Sequence, residues 1–376
     1  MRRLIHLLGG LEIGGKERVA IELARWGRSR GLDHRLLVFD RAFRGSQHDL
    51  DPEGVPVDFV PRRSGFDWSF VRSLSRYILE RGIDLIHAHN DSAVVYAAAA
   101  SRRLGRARPR IVATFHTRPS HATRMARFLC RLSARRADAV TAVSPDLARY
   151  YVATRWLDRA EVVWNGVDIE RFQPRDAARA GPADTSVVIG NLGRYHAVKR
   201  QEDLISAAAS LSRAGVEFRC VLAGPGLDRA GLVQRAERVP SLRIEGPPSD
   251  VPAFYRSLDV FVICSVEEAA PLTLLEAMAS GCCIVATDAG SIGRMIGAGT
   301  KEPAGLLVPA ADPRALAAAI RRVVEDRTLR EELGRRARIR AAQRFSRAIE
   351  WARYERLYEG RTSPAEDRLE SFQSRP

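Results

Sequence analysis

Short apolar runs alternate along the chain with amphipathic stretches. In the first half the runs are Leu4 to Leu8, Arg35 to Phe39, Leu85 to His87, Ile111 to Phe115, Ala139 to Val143 and Val162 to Trp164. Each has the length of a strand and is bounded by polar or turn-forming residues. Between them, Arg18 to Arg28 and Phe70 to Glu80 carry apolar positions at helical spacing. Strands alternating with helices predict a parallel sheet covered on both faces. The pattern lapses in FQPRDAARAGPADTS, residues 172 to 186, which lacks apolar periodicity and reads as a linker. It then restarts, with runs at Val187 to Leu192, Phe218 to Leu222, Leu242 to Glu245, Val260 to Cys264, Ile284 to Ala286 and Leu306 to Val308. Two similar α/β domains with a cleft between them are expected, at 1–172 and 187–345, joined by a linker at 173–186. Asp312-Pro313 suits the N-cap and first turn of a helix through Val324. Ser346 would cap a last helix, 346–360, packing back on the first domain, and the polar tail 361–376 reads as disordered.

One stretch departs from simple apolar patterning: EEAAPLTLLEAMASG, residues 267 to 281. Leu272, Leu275, Met278 and Ala279 recur at helical spacing, Pro271 suits the start and Gly281 the end. An apolar run precedes it and another follows, giving strand, loop, helix, strand. At the carboxyl edge of a parallel sheet such loops and helix N-termini face the ligand crevice, so Glu268 belongs at that edge and Glu276 about one turn into the helix. A solvated loop residue and an ordinary surface helix residue are the plainer readings of the same pair.

Composition narrows the class. The 376 residues contain no apolar run of the roughly 18–20 residues a membrane span needs. MRRLIHLLGG begins basic, but its apolar run ends at Gly9 and reads as a first strand and not a signal peptide, so a cytoplasmic protein is expected. The cysteines at 130, 220, 264, 282 and 283 are odd in number, lack metal-type spacing and fall mostly in apolar runs, which suggests reduced, buried thiols. Net charge is +15 and uneven: residues 1–175 hold 31 basic and 19 acidic side chains, leaving 29 and 26 for the rest. A basic first half suits an acidic substrate, a nucleic acid or an anionic membrane surface. Arginines at 124, 127, 131 and 135 form a stripe beside Met125, Phe128, Leu129 and Leu132. The stripe is either a solvated face or an anchor on anionic lipid. Only three of the cations are lysine, so the absolute charge says less than the asymmetry.

Further signals fall at strand ends. GNLGRYHAVKR, 190 to 200, offers Arg194 and Lys199 on one glycine-containing loop, a pair suited to a diphosphate. Gly14-Gly15 allows a ligand to approach the backbone ahead of a helix N-terminus. His116 ends a strand in VATFHT, and Asn165-Gly166 in WNGVD is a tight-turn dipeptide.

In order along the chain, these features resemble the retaining glycosyltransferases of family 4. The resemblance rests on Gly14-Gly15 followed by Glu17-Arg18, His116, AVS at 142–144, NGVD at 165–168, Gly193-Arg194 with Lys199, AGPG at 223–226, Glu268 and Glu276 with LEAMASG, and AGLLVPAADP at 304–313. It implies the GT-B architecture of two facing Rossmann-like domains, an acceptor-binding first and a nucleotide-sugar-binding second. It further implies that Glu276 accepts hydrogen bonds from the ribose hydroxyls and Glu268 meets hydroxyls of the transferred sugar. Leu272 and Thr273 would present amides to the diphosphate, and Arg194 and Lys199 would stabilise the nucleoside diphosphate as it leaves. His116 would contact the sugar, unless it is a satisfied interior histidine. The donor would be a UDP- or GDP-sugar and the acceptor a glycan or lipid-linked molecule of bacterial cell-surface polysaccharide, reached at the inner face of the membrane. No cofactor or metal is implied.

The chain departs from the family's pattern at Ala269 and Ala270, where a glycine and an aromatic are usual, and at Ser291 and Arg294, in place of Gly and Glu. A smaller wall at Ala269-Ala270 could alter donor or acceptor choice or reduce activity. His87 and His89 with Asp91 could suggest a metal, but no third ligand stands at fixed spacing. Three other readings compete: a sugar-nucleotide epimerase or inverting transferase on the same architecture, a non-catalytic sugar-nucleotide or membrane binder, and a nucleic-acid binder. The last lacks any recognised module.

Overall fold

A computed structural model describes residues 3–43, 49–119, 123–175, 186–361 and 372–373. The chain divides into two compact units, Met1–Trp164 with Glu350–Pro376, and Asn165–Ile349.

The first unit is built by β1 (Arg3–Leu8), α1 (Gly15–Ser29), β2 (Asp33–Val38), β3 (Val57–Phe59), α2 (Trp68–Arg81), β4 (Leu85–His89), α3 (Asn90–Leu104), β5 (Arg110–Phe115), α4 (Arg124–Ala134), β6 (Ala139–Ala142), α5 (Pro145–Ala153) and β7 (Arg159–Val162). The sheet order is β3-β2-β1-β4-β5-β6-β7, parallel throughout. Strands covered on both faces need continuous apolar runs, and every residue of β4 and β6 is buried. Local chemistry sets the helix starts. Asp67 accepts from the amides of Ser69 and Phe70 to cap α2, and Ser144 caps α5 ahead of Pro145.

In the second unit come β8 (Val187–Leu192), α6 (Gln201–Arg213), β9 (Phe218–Ala223), α7 (Ala230–Glu237), β10 (Leu242–Glu245), α8 (Val251–Arg256), β11 (Val260–Ile263), α9 (Leu272–Ala279), β12 (Cys283–Thr287), α10 (Ile292–Ile296), β13 (Leu306–Val308), α11 (Pro313–Glu325) and α12 (Arg327–Phe345). Its parallel sheet runs β10-β9-β8-β11-β12-β13. That is the doubly wound order, which reverses direction between β8 and β11. Asp312 and Pro313 start α11 as expected, and all five cysteines are buried free thiols.

The chain closes with α13 (Arg347–Glu359) and β14 (Phe372–Gln373), the latter antiparallel to β7. Helix α13 is anchored on the first sheet: the Tyr358 hydroxyl meets His87 Nδ1 at 2.8 Å, and Arg110 Nε donates to the Leu357 carbonyl at 3.0 Å.

The division between units falls at Trp164/Asn165 and not at 172. Residues 165–172 are tied into the second unit, where the Val167 amide donates to Phe345 O and Arg338 donates to the carbonyls of Ile169 and Phe172. Of the expected linker, residues 176–185 lie outside the described residues. So does the expected disordered tail, apart from Arg361 and the β14 pair.

Candidate functional site

In the second unit the chemistry gathers where the strand order reverses. The Asn191 side chain on β8 donates to Val262 O of β11 at 2.9 Å, fixing the two strands side by side. Beyond their carboxyl ends, Lys199 Nζ contacts Glu268 Oε1 at 2.5 Å, and the Ser265 hydroxyl donates to the same oxygen at 2.8 Å. The Val266 amide donates to Val198 O at 2.8 Å, stitching one loop to the other. Glu268 is 10% exposed and Lys199 29%, so the pair is shielded but open on the lysine side. The sequence pairs Lys199 with Arg194 on one loop; the structure also ties Lys199 to Glu268, 69 residues on, because β8 and β11 are neighbours in the sheet.

Two glycines let these loops close. Gly290, at φ +56°, lies where a Cβ would sit 1.8 Å from the Glu268 carbonyl oxygen. Gly224, at φ +142°, leaves no room for a Cβ against the Gly193 carbonyl, 2.2 Å away. Both the positive φ and the close approach require glycine there.

Helix α9 begins beside Glu268. Its N-cap is Pro271, which offers no side-chain acceptor to the first amides, whereas Asp312 caps α11 with two hydrogen bonds. Leu272 and Thr273, on the first turn, are half-buried. With the positive end of the helix dipole and no side-chain cap, this terminus has the chemistry to receive an anion. Asn165 steadies it by donating to Ala270 O at 2.8 Å, while its own Oδ1 is buried without a partner among the described residues. Glu276 shares the helix face of Leu272 and Thr273, four and three residues on. It is 3% exposed and accepts from the Tyr255 hydroxyl at 2.9 Å, so the surface reading of Glu276 is corrected: this is an oriented, buried carboxylate.

Arg194 is exposed, and its guanidinium has no hydrogen-bond or ion-pair partner among the described residues. Its backbone is held instead, the Gln201 side chain donating to Arg194 O at 3.2 Å. Next to this loop, a cavity of about 710 Å³ opens at the ends of β9 and β10, bordered by Gly224, Gly226, Glu245 and Pro247. Arg194, Lys199, Glu268, Leu272, Thr273 and Glu276 thus fall in one unit around one strand reversal.

The remaining expected site residues lie in the first unit. Gly14 precedes α1 in an extended conformation and Gly15 opens the helix, again with no side-chain cap. His116 sits at the end of β5, buried, with Nε2 at 2.9 Å from His89 Nδ1. It belongs to a chain of four imidazoles: His89 Nε2 meets His6 Nδ1 at 3.2 Å, and His6 Nε2 meets His34 Nδ1 at 3.3 Å. Burial, followed by the nearby Lys16 charge, pushes His116 down to about 3, and burial pushes His34 down to about 4. Burial also holds His6, His87 and His89 well below the usual imidazole range, so these rings are neutral near pH 7. The ligand atoms of His6, His87 and His89 lie within 4.8 Å of one another, a spacing that could hold a metal. All six of their ring nitrogens are already hydrogen-bonded, however, those of His87 to Tyr358 and Thr114. Asp91 is not part of the group.

Tyr255, Ser265, Gly290, His6 and His34 were not anticipated from the sequence. Ser265 reaches Glu268 within one loop, and Gly290 meets that loop's carbonyl, whereas Tyr255, His6 and His34 meet partners on other strands or helices that only the packing of elements, such as His6 opposite His87, brings close.

Two family descriptions match this chain, Glycosyltransferase Family 4 over residues 13–171 and Glycosyl transferases group 1 over 172–340. Fold and site define a glycosyltransferase with two Rossmann-like units. The chain belongs to the family 4 glycosyltransferases. It is 29% identical over 309 residues to the putative glycosyltransferase EpsF of Bacillus subtilis (strain 168), covering 76% of this chain and 79% of that one. It is 31% identical over 239 residues to the lipopolysaccharide core biosynthesis mannosyltransferase LpsB of Rhizobium meliloti (strain 1021), covering 60% and 65%. Among solved structures, a glycosyltransferase from Rickettsia africae ESF-5 superposes with a TM-score of 0.78 at 18% identity, covering 95% of this chain and 98% of that one. Anabaena Alr3699/HepE in complex with UDP gives 0.77 at 21%, covering 95% and 99%. These likenesses show the GT-B fold.

Proposed function

We propose that the protein is a retaining glycosyltransferase that moves a hexosyl group from a UDP- or GDP-sugar to a glycan or lipid-linked acceptor in the assembly of bacterial cell-surface polysaccharide. The observation that carries this reading is the Lys199–Glu268 pair, set beside the unpartnered Arg194 and the uncapped start of α9. A diphosphate lodged there meets two cations and the helix amides, and the departing nucleotide is where negative charge grows. Glu276, held by Tyr255, offers carboxylate oxygens to the ribose hydroxyls, and the cavity past Gly224 has room for the base. Glu268, held by Lys199 and Ser265, orients sugar hydroxyls. The bond from the anomeric carbon to the phosphate oxygen breaks with its electron pair going to the nucleotide. The acceptor oxygen adds on the same face and its proton passes to the leaving phosphate oxygen, so no carboxylate nucleophile is needed. His116 contributes a neutral imidazole to sugar binding from the first unit. With cations and amides supplying the positive charge, the reaction requires no metal or cofactor.

The names of EpsF and LpsB, and the UDP held by HepE, support the donor and pathway class. The reading places the enzyme in the cytoplasm, at the inner face of the membrane; among the described residues no helix is long and apolar enough to cross one. A thermal-shift panel of nucleotide sugars, followed by NMR of the product's anomeric proton, tests the proposal. Stabilisation by one donor and a product of retained configuration are expected. Inverted product, or no turnover of any stabilising donor, refutes it.

A further inference from the structure

The arginine stripe on α4 is not the uniform basic face its sequence suggests. Arg131 and Arg135 both donate to the Asp158 carboxylate, at 2.7 and 2.6 Å, so half of the stripe is neutralised within the fold. Besides Arg124, what α4 turns to solvent is apolar. Met125 is 66% exposed, Phe128 62% and Leu132 44%, and only Cys130 and Ala134 of the helix are buried. Trp68, at the start of α2, is 66% exposed and packs edge-on against the exposed Phe66 with ring centroids 5.0 Å apart.

These two apolar ridges flank a groove of about 550 Å³ formed by α2, α3 and α4, its floor lined by Val71, Val95, Leu129 and Leu132. Arg72, Arg102, Arg103 and Arg136 also line it, and no acidic residue does. All four arginines are exposed, and none of their guanidiniums has a hydrogen-bond or ion-pair partner among the described residues. They contrast with the many arginines here that are committed to carboxylates, such as Arg35, Arg62, Arg108 and Arg131.

We infer that this face of the first unit docks on a bilayer containing anionic phospholipid. Apolar side chains on a convex helix enter a fluid apolar layer readily, whereas a folded partner would need a matching hollow. Aromatic residues with a polar edge suit the headgroup level. The four unpaired arginines stand where lipid phosphates would lie, and the excess of positive charge in residues 1–175 steers the same half toward an anionic surface. The inference deepens the membrane-side location proposed above and does not depend on the sugar site.

The test uses the full chain with vesicles of phosphatidylcholine, with and without 30% phosphatidylglycerol. Wild type should partition at least tenfold more strongly onto the anionic vesicles, with Trp fluorescence quenched by brominated acyl chains. A Trp68→Ser/Phe128→Ser/Leu132→Ser variant should lose at least tenfold of that binding. An Arg72→Gln/Arg102→Gln/Arg103→Gln/Arg136→Gln variant should lose the preference for anionic lipid. Both variants should keep the wild-type thermal shift with donor nucleotide, which reports folding and the sugar site separately. Binding unchanged in both folded variants, or equal binding to both vesicle types, overturns the inference. So does a dimer in sedimentation that the apolar substitutions dissolve, since a second copy would then own the surface. If the triple variant does not fold, Trp68→Ser alone must lower the quenching, and undiminished quenching refutes the assignment.

Discussion

The two units repeat one strand order and fill its point of reversal with opposite chemistry. Between β8 and β11 stand an ion pair, a free guanidinium and a helix start without a cap, all able to meet a charged ligand. Between β1 and β4 stand buried imidazoles, neutral and hydrogen-bonded to one another. The shared topology decides where a crevice forms. Side chains decide whether it holds charge or excludes it. In the second unit charge is kept at the rim, where solvent and ligand reach it. In the first, burial has made charge costly enough that the histidines stay unprotonated.

Acid should separate the two regions most strongly. A histidine whose pKa is lower folded than unfolded adds no penalty above the unfolded value near 6.5, and stability falls as pH drops from there toward the folded value. With His34 at about 4 and His116 at about 3, each costs on the order of 2 kcal/mol at pH 5, and carboxylates titrate mostly below that window. Melting temperature should therefore drop steadily between pH 7 and pH 5; a flat profile would mean the first crevice is wetter and more charged than described. Next in size, Lys199→Ala should lower transfer by roughly a hundredfold with little change in melting temperature, because it removes a contact to developing charge from a loop and not from the core. Arg194→Ala should cost more than about tenfold in turnover, measured as initial rate at saturating donor. Normal rates in both mutants would leave the second crevice charged for some other purpose. Glu276→Gln should weaken the free nucleoside diphosphate by about tenfold in calorimetry, whereas Glu268→Gln should spare the nucleotide and impair transfer. Equal effects on the nucleotide would merge the roles assigned to them. The smallest effect is expected for Tyr255→Phe, about 1 kcal/mol or less in stability and a matching loss of nucleotide affinity, since one hydrogen bond to Glu276 disappears.

Much of the fold is legible in periodicity. Val187–Leu192, Leu242–Glu245 and Leu306–Val308 are strands with the ends their apolar runs indicate. Helix α12 is harder to read because its buried face is Leu333, Gly334, Ala337, Ala341 and Phe345, mostly small residues among arginines, with little apolar contrast. Gly334 is needed because a Cβ there would lie 2.3 Å from the Gly281 carbonyl oxygen, a close approach that no spacing rule announces. Strand β3 is three residues of VDF at the sheet edge, too short to show alternation. In the site, residue types at strand ends point to Glu268, Glu276, Arg194 and Lys199. Their bonding does not follow from type: that Lys199 pairs with Glu268, or Tyr255 with Glu276, depends on strand neighbours and helix phase that a linear pattern leaves open.

Each link in the histidine chain joins the Nδ1 of one ring to the Nε2 of the next, from His34 through His6 and His89 to His116. A neutral imidazole carries one proton, so donating at one nitrogen obliges it to accept at the other. The four rings therefore share a single tautomer and can exchange it only together. The hydrogen-bonding character of the outer nitrogen of His116, donor or acceptor, is set in common with that of His34, three rings away, at the beginning of β2. Gly27 makes the packing there possible, since a Cβ at that position would fall 2.3 Å from the His34 ring. A single methyl group added on α1 would push the His34 ring aside and so cut the outermost link of a proton arrangement that ends at His116.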